Sequence, residues 1–146
     1  MATGENNFLG DKAFVETLIP QRFPFVMVDK LYSYSETELV SGFKIQNDAI
    51  FFEKNSLAES GLIEHMAQSV ALHTGYQFYL RNEQSPTGYI GSIKNIEIQK
   101  LPKLHDEIRT TVSILQEFAG ITLVDVVTTL NDVEIAKGQM KTVLAK

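Results

Sequence analysis

The stretch from Ser56 to Leu80 constrains the fold more than any other. Ile63, Met66, Ala67, Val70, Ala71, Thr74 and Phe78 recur at three- and four-residue steps, the period of a helix. Its other faces are also small or apolar, at Ala58, Leu62, Ser69, Leu72 and Gly75. A helix this poor in charge has to be largely surrounded by protein. Ser56 and Glu59 have the S-x-x-E spacing of a capping box, which predicts where it starts. Gly75, late in the pattern, permits a close approach by another element.

The remaining segments read as what surrounds this helix. Asp11 to Ile19 predicts a short helix capped by Asp11, with Phe14, Val15, Leu18 and Ile19 on one face and Pro20 at its end. Phe25–Tyr34 and Glu38–Ile45 predict two strands joined by a turn at Ser35, Glu36 and Thr37, with Gly42 marking a bulge. Strands are expected near Thr87–Gln99, Asp106–Glu117, Ile121–Leu130 and Val133–Val143, with hairpin turns at Ala119-Gly120 and Asn131-Asp132. The class is α+β: one long central helix wrapped by an antiparallel sheet of about six strands, the last four forming a meander. One helix cannot cover both faces of such a sheet, so edge-to-edge pairing of two chains is expected.

At 146 residues the chain is one domain, residues 1–146, with residues 1–10 expected as a flexible tail. There is no cysteine, which removes disulfides, thiolate metal sites and thiol nucleophiles. A net charge of −5 with scattered Lys and Arg argues against general nucleic-acid binding. No apolar run reaches the roughly 18–20 residues needed to span a bilayer. Met1–Asn7 has neither the basic nor the apolar part of a secretory signal, so a cytoplasmic protein is expected.

Glu64 stands out among residues that carry chemistry, because it interrupts the apolar helix. A carboxylate there is costly unless paired or put to work, and general acid–base work would use it. The plainer reading is a solvated gap in the helix, and pattern alone weighs the two equally. Gln68 lies one turn on along the same face and can reach the same ligand. Of the histidines, His65 points about a quarter-turn from Glu64, and His73 points to the opposite side. His105 stands alone, and no histidine pair has metal-ligand spacing.

Three segments carry a resemblance. Leu18-Ile-Pro-Gln-Arg-Phe-Pro-Phe-Val-Met-Val-Asp29 resembles the L-L-P-H-R-Y-P-F-L-L-V-D opening of bacterial 3-hydroxyacyl-ACP dehydratases. Leu62-Ile-Glu-His-Met-Ala-Gln68 resembles their central-helix motif L-I-x-E-x-M-A-Q, and Tyr89 to Ile98 resembles the strand that follows. The subgroup most similar is the dehydratase-like proteins of aryl-polyene pathways, whose helix continues as Met66 to Tyr76 does here. The resemblance implies a hotdog fold and loss of water from a (3R)-3-hydroxyacyl thioester to give a trans-2-enoyl product. The substrate would ride on the phosphopantetheine of an acyl carrier protein, with no other cofactor and no metal. It further implies a homodimer or higher homo-oligomer, with a heterodimer of two hotdog chains also open. Glu64 matches the family's catalytic Glu; Gln68, Gln21, Phe51, Phe52 and Gly91 are the implied substrate contacts.

The sequence departs from the family where the second catalytic group should be. The loop G-H-F-P-G that brings the family's His is absent, and Phe51-Phe52-Glu53-Lys-Asn-Ser-Leu-Ala-Glu-Ser60 takes its place. Gln21 stands where relatives carry His, and a glutamine is no base at neutral pH. Glu64 acting alone or through a water, recruitment of His65, and a catalytically silent chain all remain open. So do a partner-subunit role and thioester hydrolysis on the same scaffold. Lys94, Lys100 and Lys103 read equally as a carrier-docking patch and as solvated lysines around a turn.

Overall fold

Asp11 caps the first helix, its carboxylate accepting from the backbone N–H of Phe14 at 3.0 Å. In a computed structural model describing residues 8–145, that helix, α1, is Lys12–Leu18. It is followed by β1 (Lys30–Tyr34), β2 (Glu38–Lys44), a small hairpin of β3 (Phe52–Glu53) and β4 (Ser56–Leu57), and the long helix α2 (Glu59–Leu80). The last four strands are β5 (Gly88–Ile98), β6 (Glu107–Phe118), β7 (Ile121–Leu130) and β8 (Val133–Leu144). Most of the expected N-terminal tail lies outside the described residues; Leu9 and Gly10 are hydrogen-bonded to Leu31. Among the described residues no helix is long and apolar enough to cross a membrane.

The six long strands form one antiparallel sheet in the order β1-β2-β6-β7-β8-β5, laid against α2. Residue alternation decides which side chains face the helix. Along β7, Val124, Val126, Thr128 and Leu130 are buried, while the residues between them are not. Val124, Val126 and Leu130 meet Leu62, Met66, Val70 and Leu72 of α2 in one hydrophobic core. The β6–β7 and β7–β8 turns each have two residues at positive φ: Ala119 and Gly120 at 54° and 79°, Asn131 and Asp132 at 52° and 66°. That is the turn whose twist matches paired strands.

Four expectations change. The last four strands are not one meander: β5 pairs with β8 at an edge, and β2 pairs with β6. Alternation marks strands but does not say which ones are neighbours. Phe25–Asp29 does not join β1, because α2 side chains take backbone groups that a sheet ladder would use. Gly42 is not a bulge. The irregularity lies opposite, between Leu31 and Ser33, and the Tyr32 ring covers Gly42, where a Cβ would sit 2.5 Å from it. The Ser56–Glu59 capping box does not form: Ser56 pairs with Glu53 in the β3–β4 hairpin, and Ala58 is the N-cap without a side-chain bond.

Candidate active site

One turn of α2 organises the site. Gln68 is buried, and its amide uses every hydrogen atom it has. Nε2 donates to Glu64 Oε2 and to Phe25 O, both at 2.8 Å, and Oε1 accepts from the Met27 N–H at 2.7 Å. This set fixes the amide orientation, because the reverse would face an N–H with an NH₂. Gln68 therefore holds one carboxylate oxygen of half-buried Glu64 and ties it to the 25–27 segment.

His65, the next residue, is fully buried and turned away. Its Nδ1 lies 2.6 Å from Met27 O and its Nε2 lies 2.7 Å from Thr110 Oγ1, which is 2.6 Å from Thr128 Oγ1. A carbonyl can only accept, so Nδ1 carries the proton and Nε2 accepts from Thr110. Burial pushes the imidazole down to about 4, so it is neutral near pH 7. With both ring nitrogens bonded inside the core, His65 has no atom to offer a substrate. His73 donates from Nε2 to Ser35 O, and burial lowers its basicity too. His105 is exposed in the β5–β6 connection.

A cavity of about 360 Å³ opens beside Glu64. Its floor is one face of α2, from Glu64 through Ala67, Gln68 and Ala71 to Thr74. The end of α1 and the residues after it, Thr17 to Gln21, form one wall; the approach to β5 and its start, Gln84 to Ile90, form the other with Thr142 and Leu144. Among the described residues, Glu64 is the one carboxylate in this lining, and no histidine belongs to it. Gln21 is also in the lining, and its Oε1 is buried without a hydrogen-bond partner.

The cavity thus brings Glu64, Gln68 and Gln21 together. Phe51, Phe52 and Gly91 lie outside the lining. Phe51 packs at the start of α2, where Gly61 lets it and Leu57 come close. Phe52 opens β3, and Gly91 sits at an irregularity of the β5–β8 pairing. Apart from Gln21, sequence reasoning missed both walls, whose threonines and prolines carry no chemical signature. It also missed the backbone of Phe25 and Met27 as partners of α2. The small residues at 67 and 71 on the Glu64 face were the available sign of a cavity there.

A long helix laid on this antiparallel sheet, with a carboxylate held in a cavity beside it, is a hotdog fold. Residues 13–145 match the ApeP-like family, described as ApeP dehydratase, and the chain belongs to that family. It is 26% identical over 133 residues to the 3-hydroxyacyl-[acyl-carrier-protein] dehydratase FabZ of Vibrio cholerae, covering 87% of this chain and 86% of that one. Among solved structures it is similar to the dehydratase heterocomplex ApeI:P from Xenorhabdus doucetiae, with a TM-score of 0.84 at 15% identity over 90% of this chain and 91% of the other. A hypothetical thioesterase with coenzyme A from Streptococcus pneumoniae superposes at a TM-score of 0.62 and 14% identity, over 79% and 84% of the two chains. At these identities the structural likenesses show the shared fold. The family and the FabZ relative make this a 3-hydroxyacyl-ACP dehydratase-like protein.

Proposed function

We propose that this chain dehydrates a (3R)-3-hydroxyacyl thioester carried by an acyl carrier protein, with Glu64 as the acid–base group. The observation that carries this reading is Glu64 itself, the one carboxylate in a cavity without histidine, held at one oxygen by Gln68. A single carboxylate can perform both proton transfers of an elimination. The free Glu64 oxygen takes a proton from C2, and the C2–H electron pair becomes the C2=C3 double bond. The C3–O bond breaks, and the same carboxyl returns the proton to the departing hydroxyl as water. Gln68, uncharged and fully hydrogen-bonded, orients Glu64 without competing for the proton.

Pairing at the edge strand β5 completes the working unit. β5 is eleven residues long with one side unpaired, and Tyr89, Ile90 and Ile93 are exposed along it. An exposed edge of this kind is a template for a second chain. Tyr89 and Ile90 also line the cavity, so that chain would sit beside the site. Exposed Lys94, Lys100 and Lys103, on and after β5, supply positive charge for an acidic carrier.

The absence of histidine from the lining also favours a second reading, in which the chain is a non-catalytic, acyl-binding member of a heteromer whose partner is the active hotdog chain. Turnover of 3-hydroxyacyl-ACPs, read by mass spectrometry on the purified protein and on Glu64→Gln, separates the two. Loss of water with the unmodified protein alone supports the single-carboxylate enzyme. No turnover until a second hotdog chain is added supports the silent partner.

A further inference from the structure

Glu64, Ala67, Ala71 and Thr74 lie on one face of α2, and all four line the cavity. No α2 residue before Glu64 belongs to the lining, so the cavity runs one way, from the carboxylate toward the C-terminal end of the helix. Beyond Glu64 and Gln68 its floor is made of the small side chains of Ala67, Ala71 and Thr74. We propose that this face is a ruler for acyl-chain length, with Ala67 and Ala71 as its graduations and Thr74 near its end. The proposal rests on the reading of Glu64 as the group that faces the reacting carbons.

The rise of the helix sets the scale. At about 1.5 Å of rise per residue, Ala67, Ala71 and Thr74 lie about 4.5, 10.5 and 15 Å from Glu64 along the helix. An extended chain covers about 1.2 Å per bond, so these positions fall about 4, 9 and 12 bonds beyond the reacting carbon. An acyl chain of about 14 carbons in all would reach Thr74. Val70, Leu18, Ile19 and Leu144 give that tail apolar walls.

The test is a binding series, by calorimetry, of saturated acyl-pantetheine thioesters from butanoyl to hexadecanoyl. It uses the full-length protein, Ala71→Leu and Ala67→Leu. In the unmodified protein affinity should climb by up to about fourfold per added carbon and level off near tetradecanoyl. Ala71→Leu should bring the plateau down to near decanoyl, and Ala67→Leu to near hexanoyl. The ratio of tetradecanoyl to butanoyl affinity should fall at least tenfold in each. An identical profile in all three proteins would overturn the ruler. Equal weakening at every length would also overturn it, because the slot would then hold the pantetheine arm. Saturated thioesters cannot be dehydrated, so the series is independent of turnover. Shifted plateaus without water loss would sink the reaction and keep the ruler; water loss with unshifted plateaus would do the reverse.

Discussion

The Nδ1 of His65 and the carbonyl oxygen of Met27 lie 2.6 Å apart, and this contact sets the direction of a buried chain of hydrogen bonds. Thr128 donates to Thr110, Thr110 to His65, and His65 to the backbone of the segment that Gln68 holds from the other side. Helix, two strands and the 25–28 segment are thereby joined through one neutral imidazole. Its ring is stacked on Phe43, and no charged side chain bonds to it.

Acid should unfold the protein through this imidazole. His65 is held down to about 4 by burial, against an unfolded value of about 6.5. The unfolded chain therefore binds a proton at a pH where the folded one does not. The stability concerned is complete above about pH 6.5 and is lost as pH falls toward about 4, by on the order of 3 kcal/mol. Urea unfolding of the unmodified protein and of His65→Gln at several pH values checks this. The variant should be less stable at neutral pH and have a shallower loss between pH 6.5 and 4. Parallel curves would remove His65 as the cause.

The Gln68 amide makes a second prediction, on catalysis. In Gln68→Leu the buried Met27 N–H loses its acceptor, which costs about 1–3 kcal/mol of stability, and Glu64 loses its anchor. In Gln68→Glu an oxygen can still accept from Met27, but a second one then opposes Phe25 O and Glu64 Oε2. On the single-carboxylate reading both changes should lower kcat by about 10²-fold or more with little change in KM, since a misaimed catalytic group acts on the transition state. Steady-state kinetics beside denaturant unfolding would separate this from loss of fold. A raised KM with kcat intact would assign Gln68 to substrate binding alone.

Much of this arrangement was legible in the sequence, for identifiable reasons. The α2 pattern, the Asp11 cap and both hairpin turns follow from local chemistry, and each appears where it was read. So does the Glu64–Gln68 pair, because four residues is one turn of any helix. The position of β5 beyond β8 depends on long-range pairing, which periodicity does not encode. On sequence alone His65, about a quarter-turn from Glu64, is only a residue open to recruitment. Its role as a core hydrogen-bonding group depends on Thr110 and Thr128, more than forty residues away in sequence. Ser56 had the spacing of a cap, but hairpin pairing claimed it first. Local rules therefore succeeded where a single element satisfied its own backbone, and failed where distant segments competed for the same groups.

Gly75 and Gly91 should respond differently to the same added methyl group. A Cβ on Gly75 would sit 2.2 Å from the carbonyl oxygen of Leu18, so α1 would have to move away from α2. The obstacle is backbone at the end of a helix, not a flexible side chain, and overpacking of that kind costs about 1–3 kcal/mol. A Cβ on Gly91 would meet Val143 and Lys141 at 3.4 and 3.5 Å, ordinary contact distances. Gly75→Ala should therefore lower the melting temperature by several degrees, and Gly91→Ala by much less. Because Leu18 and its neighbours wall the cavity, Gly75→Ala should also weaken binding of long acyl thioesters more than of short ones. Thermal unfolding and the acyl-pantetheine series measure both effects. Equal melting temperatures for the two variants would show that α1 yields freely and does not set the wall.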